Sequence, residues 1–284
     1  MHRCNRSRTV KCMNARDARA VPKIITFGDD RSAGADVAWE WIIDQSWPGW
    51  VVDVVRVTEP EPSIETLFMH EPLHEEHPDD ARVAPEGSGI AQVRHLTTAY
   101  DPRIILNGKR DGHLTVVGAR GRGLLKSMRI GSTAEWLMRC PGTPLVVARS
   151  GSTVRSIVAC VDGSAHARAA VQALCDLPWI SGREVTVLTI LDATTPSEEH
   201  AHVAASALVS AGASARIVVV DPDSSGVRPS PTYAILDQLD MLQPELVALG
   251  TRGLTGLRRL AIGSVAGAVA HAGPCSVLLA RDQE

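Results

Sequence analysis

A glycine pattern with the spacing of an anion-binding loop occurs twice in this sequence. The first copy is Gly118–Gly121 followed, after nine residues, by Gly131-Ser132, and the second is Gly250–Gly253 followed, after nine residues, by Gly263-Ser264. Glycine has no side chain to block an anion, and it can adopt backbone angles that are closed to other residues. Backbone N–H groups at a helix start also favour negative charge. Each copy therefore predicts a phosphate-binding loop.

Side chains within the two loops suit the same ligand. Arg120 and Arg252 can make charge-assisted contacts to phosphate, although a solvated surface position explains an arginine equally well. Ser132 and Ser264 can bind phosphate through their hydroxyl groups or cap the helices that follow. Ser132 and Glu135 have the spacing of a capping box, which favours the second interpretation for Ser132.

An aspartate follows the first apolar run of each copy. Asp30 and Asp162 could accept hydrogen bonds from a nucleobase or ribose, or help to hold a hydrated metal ion. The alternative is that each caps the following helix, which is a common role for aspartate.

The repeat extends well beyond the glycines. Four pairs of landmarks are separated by the same 132 residues: Asp30 and Asp162, Gly118 and Gly250, Gly131 and Gly263, and Arg149 and Arg281. This constant spacing indicates a tandem duplication of whole domains, since it is far longer than a solenoid repeat. We predict domain 1 at residues 22–149 and domain 2 at residues 152–284. The basic residues 1–21 lack the apolar core of a signal peptide, and we expect a disordered extension there.

The elements that must position these residues follow from the apolar runs. Leu114–Val117 and Leu246–Leu249 lead directly into the two loops, so Val117 and Leu249 are candidate site residues at the strand ends. Apolar strands that alternate with helices predict an α/β fold with a parallel sheet covered on both faces. We expect two tandem Rossmann-like domains of five parallel strands each. In such sheets, ligands bind beyond the carboxyl ends of the strands, where both aspartates and both loops fall.

The copies differ most at residues 59–89, which are acidic and rich in proline. We expect a long loop there. His70 and His74 have the spacing of two metal ligands on one helix face, but Pro72 and Pro78 disfavour a continuous helix. We therefore predict no metal site formed by these side chains.

Composition restricts the class of protein. The formal net charge of −3 gives no general attraction to polyanions, so nucleic-acid binding is not expected. The six cysteines include no Cys-x-x-Cys pair, and Cys160 and Cys275 lie in apolar runs, which favours a reducing, cytoplasmic location. No apolar run approaches the roughly 18 residues that a membrane span requires, so no membrane partner is expected.

The glycine pattern, its repeat and Asp162-Gly163-Ser164 resemble the universal stress protein family in its tandem two-domain form. The resemblance implies an adenine nucleotide alpha hydrolase-like fold, ATP bound with Mg²⁺, and pairing through the last strands. It would place adenine near Asp162 and the second-strand residues Val57 and Ile190. Ribose and phosphates would lie on the loops, on Ser132 and Ser264, and on the backbone of Thr133 and Val265. Arg31 departs from the family pattern, which has glycine there, and could crowd the domain 1 site or reach a phosphate.

Several catalytic motifs are absent from the sequence. It contains no Gly-x4-Gly-Lys-Ser/Thr loop, nucleophile elbow or kinase signature, so rapid phosphoryl transfer is not expected. Three hypotheses remain: an ATP-binding stress-response regulator that is not an enzyme, a slow ATPase or nucleotide-processing enzyme, and an interaction module with empty sites. The last strands, Leu145–Ala148 and Val277–Ala280, offer apolar edges that need covering. We therefore expect an intrachain pseudo-dimer, and also a homodimer.

Overall fold

The chain folds into one continuous sheet with helices on both faces. The computed structural model describes residues 22–57, 74–76, 78–108, 112–121, 130–139, 141–191, 198–221, 230–254 and 262–282. The strands within these ranges are β1 Ile24–Gly28, β2 Val51–Val57, β3 His74–Glu76, β4 Gln92–Thr98, β5 Leu114–Gly118, β6 Leu145–Ala148, β7 Ser156–Cys160, β8 Glu184–Ile190, β9 Ser214–Val220, β10 Leu246–Gly250 and β11 Ser276–Ala280. The helices there are α1 Ala33–Ile43, α2 Pro102–Gly108, α3 Ser132–Arg139, α4 Ala165–Cys175, α5 Glu199–Ser210, α6 Pro231–Leu242 and α7 Ser264–Ala272. The predicted extension at residues 1–21 lies outside the described residues.

The strand order is β3-β4-β2-β1-β5-β6-β11-β10-β7-β8-β9. Strands β4-β2-β1-β5-β6 are mutually parallel, as are β9-β8-β7-β10-β11. The predicted α/β class, with five parallel strands in each half, is therefore confirmed. β3 adds an antiparallel strand to the outer edge of β4, which the sequence did not predict.

The two halves join through their last strands. β6 and β11 pair antiparallel, with Val146 opposite Leu278. Arg149 extends this junction, because its backbone N–H donates to Ser276 Oγ at 3.0 Å and its guanidinium donates to the carbonyls of Cys275 and Ala270. The halves thus form the expected intrachain pseudo-dimer.

Each face of the sheet carries one hydrophobic core that runs through both halves. Helices α1, α4 and α5 cover one face, and α2, α3, α6 and α7 cover the other. Because the parallel strands are buried on both sides, their apolar runs are nearly continuous. On the first face, the ring of Trp179 lies 6.0 Å from that of Trp41 and 5.9 Å from that of Trp47. This aromatic contact packs domain 1 directly against domain 2.

The crossover between β2 and β4 differs from its counterpart in domain 2, where α5 connects β8 to β9. The predicted loop at residues 59–89 is wrong at His74–Glu76, which form β3, whereas residues 78–89 contain no helix or strand. Residues 58–73 and 77 lie outside the described part. His74 begins the short strand β3 and is therefore not in a helix, while His70 lies outside the described residues. Sequence analysis did not identify β4 or α2.

None of the helices in the described ranges is both long and apolar enough to cross a bilayer. Among the same residues, Cys160, Cys175 and Cys275 are free thiols. Burial raises the pKa of Cys160 to about 12, so its thiol is protonated and packs as a small apolar group.

Candidate functional site

In domain 2, the loop that follows β7 and the glycine loop that follows β10 meet where the strand order reverses. β7 pairs with β10 on one side and β8 on the other. The helix after β7 covers one face of the sheet, whereas the helix after β10 covers the opposite face. This divergence opens a crevice of the kind in which parallel α/β sheets bind ligands. The loops Asp162–Ser164 and Thr251–Gly253 both lie at this crevice.

Asp162 and Ser164 tie the two loops together. Asp162 Oδ1 accepts the Ser164 N–H at 2.9 Å, while a β-carbon at Gly253 would lie 2.7 Å from Asp162 Oδ2. Ser164 Oγ accepts the Ala167 N–H at 3.1 Å, which caps α4, and donates to Arg252 O at 3.3 Å. The capping role considered for Asp162 therefore belongs to Ser164. The aspartate instead shapes its own loop and places a carboxylate oxygen beside the glycine loop.

The loop glycines are required for space rather than for unusual backbone angles. A β-carbon at Gly250 would lie 2.5 Å from the carbonyl carbon of His166, so this glycine lets β10 approach α4. The Gly263 N–H donates to Thr251 O at 2.7 Å and closes the loop on itself. None of the six motif glycines has a positive φ, so that part of the sequence interpretation was wrong. Gly163 does have one, at +81°.

The helix starts after the loops present exposed serines. Both α3 and α7 begin at the serine itself, and Gly131 O accepts the Glu135 N–H at 2.9 Å as the first helical bond. Ser132 is thus the first helical residue and not the cap, so the predicted capping box is wrong. Thr133 and Val265 are the second helical residues. The first N–H groups of a helix have no acceptor within it, which leaves them for a ligand or water.

Domain 1 builds the same site from the same contacts. Ser32 N donates to Asp30 Oδ1 at 3.1 Å, and Ser32 Oγ donates to Arg120 O at 3.3 Å. A β-carbon at Gly121 would lie 2.5 Å from Asp30 Oδ2, and the Gly131 N–H closes its loop onto Ala119 O at 2.7 Å. Each contact has its partner in domain 2 at a distance of 132 residues. The duplication therefore preserves the three-dimensional site as well as the sequence pattern.

The remaining predicted residues differ in what they can offer. Val117 and Leu249 are buried in the core, so a ligand would meet only their backbone. Val57 and Ile190 lie at the carboxyl ends of β2 and β8, next to the first strand of each half. Val57 is 45% exposed and Ile190 is 8% exposed, so the two halves are unequal at the position expected for the base.

The two arginines of the loops also differ in exposure. Arg120 is exposed, while Arg252 is half-buried. Both positions are compatible with contact to an anion.

A cluster of charges at the end of β1, which the sequence analysis missed, distinguishes domain 1. The buried Asp29 accepts hydrogen bonds from Arg56 Nη2 at 2.9 Å and Arg82 Nη2 at 3.1 Å. Arg56 also pairs with Asp80 at 2.8 Å. Burial opposes ionisation of Asp29, but the hydrogen bonds from Arg82 and Arg56 outweigh it and lower its pKa. Arg56, a charged residue within the apolar run of β2, was the sequence feature that could have predicted this cluster.

Arg31 belongs to this charge cluster. Its Nε lies 3.0 Å from Asp80 Oδ2, and its backbone has a φ of +58°. The side chain therefore extends toward the 78–82 segment. In this structure the side chain of Arg31 pairs with Asp80, and the expected contact with a phosphate stays a prediction.

The fold and the paired loops define an α/β protein with two copies of one crevice at the carboxyl ends of its strands, and the sequence comparison gives its family. The family model for the universal stress protein family matches residues 22–149 and 153–281. The chain therefore belongs to the universal stress protein family, in tandem form.

Individual relatives agree with this assignment. A universal stress protein of Mycolicibacterium smegmatis is 24% identical over 210 residues, which cover 69% of this chain and 71% of that protein. The crystal structure of a universal stress protein from Archaeoglobus fulgidus has a TM-score of 0.65 at 15% identity, covering 91% of this chain and 98% of its own. A putative universal stress protein from Pseudomonas aeruginosa has a TM-score of 0.57 at 15% identity, covering 92% and 94%. At these identities, the two structures show the shared fold alone.

Proposed function

We propose that this protein is a regulator that binds ATP with Mg²⁺ in both domains and changes its contacts with the nucleotide state. The observation that carries the proposal is the duplicated crevice, in which a glycine loop, a helix start and an aspartate converge through identical contacts. The loop and the free N–H groups of α3 and α7 suit phosphates. Asp30 and Asp162 suit the hydrogen-bond donors of a ribose or base.

The donor set fits a magnesium ion that arrives with the nucleotide. Among the described residues, no group of three or more His, Cys, Asp or Glu side chains could hold a metal ion alone. Mg²⁺ in nucleotide sites is bound by one or two carboxylates together with phosphate oxygens and water. Asp162 Oδ2 and Asp30 Oδ2, each beside its glycine loop, are the oxygens that would assist. The ion would neutralise phosphate charge there.

We infer that the protein holds nucleotide rather than consuming it rapidly. The sequence contains no P-loop lysine motif, and the described loops offer backbone N–H groups, an arginine and a carboxylate.

The buried thiols of Cys160 and Cys275 suit a reducing cytoplasm. Because β6 and β11 already pair within the chain, a homodimer would need a different surface.

Single-site variants test the binding proposal. Ser132→Asp and Ser264→Asp put a negative charge at the start of α3 or α7. The helix dipole stabilises that charge, so the helix is retained, but the charge repels phosphate. Native mass spectrometry with Mg-ATP should find two nucleotides on the wild type, one on each single variant and none on the double variant. Analysis of the small molecules released from denatured protein should identify the physiological ligand.

Other outcomes select the competing functions. Absence of bound nucleotide, together with no thermal shift in Mg-ATP, would favour an interaction module with empty sites. ATP turnover by the wild type that the double variant loses would favour a slow ATPase.

A further inference from the structure

His166 makes a contact at the domain 2 site that domain 1 lacks. It is the second residue of α4, and its Nδ1 accepts the backbone N–H of Asp282 at 3.0 Å. Asp282 lies just beyond the end of β11. The corresponding residue of domain 1, 132 positions earlier, is Gly34, which has no side chain to make this bond.

The contact closes a circuit of bonds around the glycine loop. The Thr251 N–H donates to Ala280 O at 2.9 Å, which fixes the loop to the end of β11. Ser164 Oγ holds Arg252 O from the first turn of α4, and Gly250 packs on the backbone of His166. The bond from Asp282 to His166 links the end of β11 back to that same turn.

We propose that His166 is a positioning residue of the domain 2 site, which holds the Gly250–Gly253 loop in its binding geometry while the imidazole is neutral. The proposal rests on the nucleotide site proposed above. Nδ1 accepts a hydrogen bond only through a lone pair, which protonation removes. Acidification therefore breaks the link between Asp282 and α4 and loosens the loop.

The groups around His166 keep it neutral near pH 7. Burial is the main factor that lowers its pKa, and Arg252 on the loop and Arg281 after β11 lower it further. Asp282 and Asp162 act in the opposite direction but do not prevail. The nucleotide affinity of the domain 2 site is thus expected to change at a pH below the ordinary histidine pKa. The domain 1 site has Gly34 at this position and no titrating group.

The test measures Mg-ATP affinity by calorimetry in a Ser132→Asp background, in which domain 2 is the binding site. Between about pH 7.5 and about pH 5.5, affinity should fall roughly fivefold to tenfold, the worth of about one hydrogen bond. His166→Asn keeps an acceptor that does not titrate, so its affinity should follow the control profile. His166→Gly, which removes the acceptor for the Asp282 N–H, should bind more weakly than the wild type at about pH 7.5 and follow the control profile as the pH falls. The control is the Ser264→Asp background, which reports the pH dependence of ATP itself at domain 1.

Two results would overturn the proposal. The first is a His166→Gly variant that binds Mg-ATP as tightly as the wild type at about pH 7.5. The second is a domain 2 affinity of the wild-type His166 protein that rises on acidification relative to the control. That rise would mean that attraction between imidazolium and phosphate dominates. Hydrogen exchange of the Asp282 amide in nucleotide-free protein separates this proposal from the ATP site. The amide should be protected in the wild type and in His166→Asn, and exchange faster in His166→Gly. A fast-exchanging wild-type amide disproves the link, while a protected amide without any nucleotide binding disproves the ATP site instead.

Discussion

Asp29 shows how much one buried carboxylate can organise in this protein. Its side chain is inaccessible to solvent and is bound by Arg56 and Arg82, two charges from distant parts of the chain. Arg82 continues to Asp36 at 2.6 Å, in the first turn of α1. The 78–82 segment, which has no regular secondary structure, is therefore fixed to the end of β1 by ion pairs.

Asp29→Asn is expected to destabilise the protein by about 3–5 kcal/mol at neutral pH, because it removes the one buried carboxylate of the cluster and leaves the two arginines only their exposed partners, Asp80 and Asp36. The pKa of Asp29 is lowered in the folded state, so its stabilisation is present above the ordinary aspartate range and is lost as the pH falls through the folded value. Urea unfolding should accordingly show the variant and the wild type converging in acid. Asp80→Asn, at an exposed partner, is the control and should have a much smaller effect. A stability difference between the wild type and the Asp29→Asn variant that does not change with pH would contradict this account.

Gly163→Ala should destabilise domain 2 by about 1–2 kcal/mol, since Gly163 has a φ of +81° and a β-carbon there is strained. Its domain 1 counterpart, Arg31, already bears this strain at φ +58°. Arg31→Ala should therefore change stability by less than about 1 kcal/mol, the worth of a surface ion pair. Thermal unfolding of both variants provides the comparison, and equal losses would argue against backbone strain as the cause.

Among the elements, α1 and α4 each depend on a serine with two roles. Ser32 and Ser164 accept an N–H from the first turn of their helices and also donate to the carbonyl of Arg120 or Arg252. The start of each helix is thus bonded directly to the glycine loop.

Ser164→Ala should cost about 1 kcal/mol of stability through loss of the cap. It should also weaken Mg-ATP binding in domain 2, because the Arg252 carbonyl loses its donor. Ser230→Ala removes the cap of α6, where Ser230 Oγ accepts the Tyr233 N–H, and serves as the matched control with a similar stability loss. Calorimetric titration measures the Mg-ATP affinity of both variants. Equal affinities would mean that Ser164 only caps α4 and does not support the binding site.

At the scale of the whole molecule, the two domains share their cores. The junction of β6 with β11 makes one sheet, and Trp41, Trp47 and Trp179 pack across it on one face. Gln45 adds a polar link, since its Oε1 accepts the Val154 N–H at 3.2 Å and its Nε2 donates to Ser152 O at 3.3 Å. We expect the chain to unfold as one cooperative unit.

Trp179→Ala should lower the free energy of unfolding by about 3–5 kcal/mol, the usual effect of removing a large buried ring. Because this ring packs domain 2 against domain 1, the single transition should shift as a whole to lower urea concentration. Denaturation in urea, followed by far-UV circular dichroism and tryptophan fluorescence, checks this, and a transition that divides into two would contradict the single cooperative unit. Trp39→Ala is the control, since the ring contact of Trp39 is with Phe27 in its own domain.

The sequence by itself determined the repeated architecture. Apolar runs that end in aspartate or glycine, spaced identically in two copies, require parallel strands whose carboxyl ends meet. This is local information, and it located Asp30, Asp162 and both loops correctly at the switch points of the sheet. The same local patterns gave the wrong cap at Ser132, because a serine at a helix start has the same signature in the first helical position as in the cap.

Only the tertiary structure decided which groups complete each site. Asp29 meets Arg82 across 53 residues, and His166 meets Asp282 across 116. Such partners are chosen by chain folding and burial, and no local spacing records them. For the same reason, the motif glycines could be recognised from the sequence, but their physical purpose, which is room for a neighbouring helix or carboxylate, became apparent only when those neighbours were in place.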